Sequence, residues 1–326
     1  MNIEYFKKKN PTKINRNLFF NKDCHSNKKK ILIYQNQDFH SEISGTIIYH
    51  FLNVDFYIFY PNKDSINNCF SYYEKIFNIK INYVNNISES EYDYIFVLTS
   101  REIKFLTPNV KSKYILFKHV NEDESINGYI NISLTPLVTA NFYTIPIYNI
   151  LNNNTRFNVI CVIGNMSCDK IRDLNGLFKL MDELKDFNFY IFTRKIKEDY
   201  KILYSKQKNC KVYLNVNTEN MIEKIRKSKY IFTADTPYYS ENGFKTGVLT
   251  GMIPLALNNN VPLILSKKLN NIYKLSGVIE YGNSVEVVEL INKLDEGAYN
   301  TLLNSFLQTK QKILSENKLK FDKIIK

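Results

Sequence analysis

Short apolar runs alternate along this chain with stretches whose apolar residues recur every three or four positions, and that alternation is its main signal. The first run, Lys30–Tyr34, is apolar after its lysine and reads as a buried strand. The loop Gln35–His40 leads into a helix over Ser41–Leu52, with Ser41 placed to cap it. Val54–Tyr60 is a second strand, stopped by Pro61 and Asn62. A helix over Ser65–Phe77 carries Ile66, Cys69, Phe70, Tyr73 and Phe77 on one side. Strands over Ile79–Val84, Tyr92–Leu98 and Tyr114–Phe117 follow, with a shorter one at Asn131–Leu134.

Between Asn121 and Asn154 the pattern becomes irregular, Pro136 and Pro146 interrupt it, and Asn152–Asn154 reads as a turn or linker. The alternation then restarts. Strands are expected at Asn158–Ile163, Phe187–Thr193, Lys211–Asn215, Tyr230–Thr233, Leu263–Leu265 and Gly277–Tyr281. Helices are expected at Leu174–Leu184, Glu219–Ser228 and Ser284–Leu294, and Asp295–Ile325 is mostly helical. Strands and helices alternating at this spacing make two α/β domains with parallel sheets, joined near Ile147–Asn154. The division is residues 1–27 as a polar, basic extension, 28–148 as the first domain, 149–300 as the second, and 301–326 as a final helix.

The stretch Lys229–Ser266 holds the densest candidate chemistry. A strand at Tyr230–Thr233 opens into a polar loop, Asp235–Asn242, with Pro237 and Gly243 as breakers. Gly243-Phe244-Lys245-Thr246-Gly247 then enters a helical run that Pro262 closes before the next strand. In open α/β sheets ligands bind beside such loops, at the carboxyl ends of strands. A helix N-terminus there offers unpaired N–H groups to an anion, and Lys245 would add a positive charge. The alternative is a crossover with no ligand.

Glu241-Asn242-Gly243-Phe244, followed by Asn260-Val261-Pro262-Leu263-Ile264, resembles the donor-binding segment of GT-B-fold glycosyltransferases. The likeness is to the large retaining family that uses nucleotide-diphosphate sugars. That family's second Glu is missing here, its place falling near Leu249 or Thr250. The resemblance implies an α/β fold of two Rossmann-like domains facing a central cleft, with the last helix crossing back to the first domain. It implies a donor site at Asp235, Thr236, Ser240, Gly243, Phe244, Lys245 and Thr246, with Gly164 and Arg194 at the neighbouring strand ends. Glu241 would take a ribose or sugar hydroxyl, and His119, at the carboxyl end of a first-domain strand, would lie near the reacting sugar. Lys118 and the loop residue His40 fall on the acceptor side. No cofactor or metal is implied beyond the nucleotide-sugar co-substrate; the acceptor would be a glycan, lipid or protein.

Departures from the family pattern leave alternatives open. Asn165 stands where the family has Arg, and Asn175-Gly176 where it has Lys-Gly. Lys170, Arg172 or Arg194-Lys195 are the cations left to face a diphosphate. His119 can equally bond local backbone at a strand exit, and His40 can sit in a solvated loop. A GT-B fold that has lost catalysis and works as a binding or scaffold protein is therefore the second hypothesis.

Composition adds limits. The 326 residues suit about two domains. A net charge of +12 raises nucleic-acid binding as a third hypothesis, with salt-dependent affinity as its mark. Lys, Asn, Ile and Tyr all have A/T-rich codons, however, and much of the charge sits at the two ends, so nucleic acid is not the expected partner. The five cysteines form no CxxC pair and no ligand cluster with histidine, which points to reduced thiols, no metal site and a cytoplasmic setting. No apolar run reaches the length of a membrane span, and no signal peptide is read at the N-terminus. Oligomeric state is not legible.

Overall fold

The protein is described here from a computed structural model, over residues 3–5, 28–35, 41–61, 64, 69–98, 106, 111–119, 128–138, 140–150, 155–166, 172–235 and 251–325. In chain order the elements of the first half are β1 (Ile3–Tyr5), β2 (Lys30–Tyr34), α1 (Ser41–His50), β3 (Asp55–Phe59), α2 (Phe70–Phe77), β4 (Ile81–Val84), β5 (Tyr94–Val97), β6 (Lys113–Lys118), β7 (Tyr129–Ser133) and β8 (Phe142–Tyr143). The second half contributes β9 (Phe157–Ile163), α3 (Leu174–Glu183), β10 (Asn188–Thr193), α4 (Glu198–Lys206), β11 (Cys210–Leu214), α5 (Thr218–Arg226) and β12 (Ser228–Phe232). It continues through α6 (Met252–Asn258), β13 (Leu263–Ser266), α7 (Lys267–Tyr273), β14 (Ile279–Tyr281), α8 (Glu286–Asn292) and α9 (Glu296–Ile325).

Two separate seven-stranded sheets result, each fully parallel. The first runs β4-β3-β2-β5-β6-β7-β8 and the second β1-β11-β10-β9-β12-β13-β14. Each half winds outward from its first strand in one direction and then returns in the other, the Rossmann-like order. Strand order reverses between β2 and β5 in the first sheet and between β9 and β12 in the second. Helices cover both faces, so central strands such as β2, β5, β6 and β9 are buried in unbroken runs without alternation. Ile31 and Ile33 of β2 enter one core and Leu32 and Tyr34 the other; Cys161 and its neighbours Ile160 and Val162 divide likewise in β9.

Residues 3–5 correct the picture of a loosely ordered extension. They form β1, which pairs in parallel with β11 (Ile3 with Val212, Tyr5 with Leu214) and so belongs to the second sheet. The helices α4 and α7 were not expected. Ser266 ends β13 and caps α7 through its hydroxyl, which accepts from the Leu269 N–H at 3.3 Å.

The final helix ties the halves together. At its start Tyr299 packs edge-on to Tyr230 of β12. Farther on it passes over Gly277, where a Cβ would lie 2.1 Å from the Phe306 nitrogen, and Gly277 has a φ of +72°. Its far end lies on the first half. Asn317 accepts from the Thr144 hydroxyl and donates to the Ile145 carbonyl, Phe321 stacks on His50 at 4.8 Å, and Lys29 donates to the Ile325 carbonyl. Between these contacts, Lys310 is 1% exposed and donates to Asn260 Oδ1 at 2.7 Å. Beside it Arg226 of α5 donates to the Tyr72 hydroxyl of α2 at 2.7 Å and to Asn259 Oδ1 at 3.1 Å. The Tyr148 N–H bonds Asn258 Oδ1, so the polar run Asn258–Asn260 seals the junction. Among the described residues no helix is long and apolar enough to cross a membrane.

Candidate functional site

The carboxyl ends of β9, β10 and β11 border a cavity of about 530 Å³. Its wall is Ile163, Gly164 and Asn165 at the end of β9, Phe192 to Lys195 at the end of β10, Asn215 and Val216 after β11, and Thr218 and Met221 in the first turn of α5. Local sequence builds each part. Thr193 closes β10 by donating its hydroxyl to the Lys195 carbonyl at 2.7 Å, which turns the chain and leaves Arg194 and Lys195 exposed. Asn215 leaves β11 with a φ of +52°, a conformation asparagine tolerates. Asn217 caps α5 by accepting from the Asn220 N–H at 2.8 Å. The first N–H groups of α5, at Thr218 and Glu219, have no partner within the helix. The lining thus combines two cations, Arg194 and Lys195, with the apolar side chains of Ile163, Phe192, Val216 and Met221. Such a lining suits a molecule with an anionic end and a flat, less polar end.

At the strand-order reversal beside this cavity lies a buried ion pair. Arg172 Nη1 donates to Asp235 Oδ1 and to the Thr233 carbonyl, both at 2.5 Å. Arg172 is 8% exposed and Asp235 4%. Burial pushes the Asp235 carboxyl up to about 6, against the pull of the Arg172 charge in the other direction. The same residues pair as an isolated antiparallel bridge, and the Asp173 N–H donates to the Ala234 carbonyl at 2.8 Å. Burial also raises the Tyr281 phenol, whose oxygen accepts from the Asp235 N–H at 3.3 Å.

The expected site residues therefore divide. Gly164 and Arg194 both line the cavity. Asp235 stands at the end of β12 but is buried in the ion pair rather than open to a ligand. Thr236, Ser240, Glu241, Gly243, Phe244, Lys245 and Thr246 lie outside the described residues, as do Lys170 and His40. Arg172, one of the substitute cations, is engaged by Asp235 and Thr233. In the first half, His119 Nε2 lies 2.6 Å from the Leu98 carbonyl at the end of β5, the backbone contact expected of a histidine at a strand exit. Lys118 is 4% exposed, so its side chain lies within the fold. Among the described residues no cluster of metal-ligating side chains occurs, and Cys69, Cys161 and Cys210 form no disulfide. Asn215, Thr218 and Met221 were not anticipated; the signal for them was the polar stretch Asn215–Thr218 between an expected strand and an expected helix.

No protein-family model matches the chain, and no curated protein matches it. Solved structures do match. HepE of Anabaena, in complex with UDP and glucose, is 10% identical, with a TM-score of 0.58 over 91% of this chain and 99% of its own. AviGT4, a glycosyltransferase involved in avilamycin A biosynthesis, is 9% identical, with a TM-score of 0.55 over 89% of this chain and 98% of its own. The UDP-GlcNAc 2-epimerase of Neisseria meningitidis, bound to UDP-GlcNAc, is 11% identical, with a TM-score of 0.51 over 89% of this chain and 100% of its own. These likenesses show the fold: two Rossmann-like α/β halves of the GT-B type, as the sequence led us to expect.

Proposed function

We propose that this GT-B-fold chain binds a nucleotide-diphosphate sugar and transfers the sugar to a hydroxyl-bearing acceptor. The observation that carries the reading is the cavity at the carboxyl ends of β9, β10 and β11, lined by both cationic and apolar side chains. In this reading the nucleoside lies against Val216 and Met221, and the phosphates face Arg194, Lys195 and the backbone at Gly164. Fixed cations and N–H groups would stabilise the leaving diphosphate as charge develops on it. HepE with UDP and the epimerase with UDP-GlcNAc make uridine nucleotides the first ligands to try.

Two local contacts favour a second reading, a GT-B-fold binding protein without turnover. His119 is engaged with the Leu98 carbonyl, and Arg172 is engaged in an ion pair. A thermal-shift panel of nucleoside diphosphates tests binding; at 100 times its dissociation constant a ligand adds about 2.7 kcal/mol of stability. Arg194→Ala and Lys195→Ala should each weaken binding by about 1.5–3 kcal/mol, the range for a charge-assisted bond. No shift with any diphosphate would refute the site. Binding without product from any nucleotide sugar would support the second reading.

A further inference from the structure

We propose that Arg172 and Asp235 are positioning residues for the cavity, holding the end of β9 and the end of β12 in one fixed geometry. The inference rests on the nucleotide reading above. The guanidinium lies directly against the cavity wall: a Cβ added at Gly164 would meet Arg172 Nη2 at 2.8 Å. Its Nη1 fixes two successive points at the exit of β12, the Thr233 carbonyl and the Asp235 carboxylate. Between them Ala234 is held at a φ of +47°, a left-handed conformation that alanine does not choose unaided. From Arg172 the chain passes to Asp173, which bonds the Ala234 carbonyl, accepts from the Gly176 N–H at the head of α3, and accepts from the Ser284 hydroxyl. The ion pair is therefore the keystone of a contact running from the cavity wall at Gly164 to α3 and to Ser284, just ahead of α8.

Its chemistry favours geometry over stability. The two side chains meet in one hydrogen bond, Arg172 Nη1 to Asp235 Oδ1, and Asp235 Oδ2 and Arg172 Nε have no hydrogen-bond partner among the described residues. Replacing a buried pair of this kind by well-packed apolar residues is often neutral or stabilising, which leaves direction rather than stability as its proposed contribution.

The test uses Arg172→Met, Asp235→Leu and the double variant of the full chain, with UDP as probe. Thermal unfolding, calorimetric titration and amide hydrogen exchange are measured on each. Each single change leaves one buried charge alone and should lower the unfolding temperature markedly. The double variant should regain most of that temperature. Its UDP affinity should nevertheless stay about tenfold or more below wild type, equivalent to one well-placed polar contact. The amides of Gly164, Asn165 and Asp235 should also exchange faster than in wild type. A double variant with wild-type stability, wild-type UDP affinity and wild-type exchange overturns the proposal. If wild type itself binds no UDP, the nucleotide reading fails. The exchange arm then decides alone: unchanged protection at Gly164 and Asp235 refutes the positioning role, and faster exchange in a stable double variant upholds it.

Discussion

Replacing Lys310 with methionine isolates the cost of a cation sealed between the two halves. The side chain is 1% exposed, and its ammonium donates to Asn260 Oδ1 at 2.7 Å. Burial first, and the nearby Arg226 charge second, lower its pKa from 10.5 to about 7. Across that interval, at 1.36 kcal/mol per pH unit, the buried ammonium costs about 5 kcal/mol relative to the unfolded chain. The unfolded chain binds more protons than the folded one between pH 7 and 10.5, so this contribution to stability rises with pH there. Below pH 7 the penalty is fully present. Methionine fills a similar volume without the charge but leaves Asn260 Oδ1 without this donor, at about 1–3 kcal/mol. Lys310→Met should therefore be more stable than wild type by about 2–4 kcal/mol near pH 7; near pH 10, where about 1 kcal/mol of the penalty remains, that advantage should be gone and the variant should be less stable by up to about 2 kcal/mol. Urea unfolding followed by circular dichroism at intervals from pH 6 to 10 reads the difference. A difference that stays flat across the window would show that the ammonium is not desolvated where the structure puts it.

Gly277→Ala places a methyl group 2.1 Å from the Phe306 nitrogen and forces a φ of +72°, so it should destabilise by about 2–4 kcal/mol in the same urea assay; a neutral result would mean that α9 does not cross so closely. His50 is held neutral in the fold, its pKa lowered from 6.5 to about 4, chiefly by burial and then by the Lys318 charge. Stability should therefore fall as pH drops from 6.5 toward 4, by up to roughly 3 kcal/mol from this group, and His50→Phe should flatten that fall; equal acid sensitivity in both proteins would refute the assignment. Tyr72→Phe removes the hydroxyl that accepts from Arg226 across the junction, and a loss of about 1.5–3 kcal/mol is expected from thermal unfolding.

What the sequence reveals and what it hides follow from how far each contact reaches along the chain. Lys30–Tyr34 was readable to the residue because a strand covered on both faces has no polar positions to blur it. The 30-residue α9 was readable because its length leaves no alternative. Lys267–Tyr273 was missed because seven residues hold too little periodicity, and its cap, Ser266, looks like the end of a strand. Glu198–Lys206 was missed because it leaves Ile202 and Leu203 exposed at 55% and 40%, which smears the apolar face. At the site, Gly164 and Arg194 were legible as strand-end residues. Asn215, Thr218 and Met221 were not, because family resemblance drew attention to the segment after Asp235. The engagement of Arg172 was hidden for a different reason: its partner stands 63 residues away, and no local pattern joins them.

The placement of β1 sets a condition on biosynthesis. Ile3 pairs with Val212, so the strand is made 209 residues before the edge it must join. At about 5–20 residues per second, about 10–40 s pass during which residues 3–5 have no partner in their own sheet. In that interval the first half can complete its own sheet, since β2 to β8 all pair among themselves. The second sheet cannot receive its outermost strand until β11 has left the ribosome, and α9 reaches the first half later still. A nascent chain arrested before residue 214 should therefore display residues 3–5 to solvent and to protease, and one released after α9 should protect them.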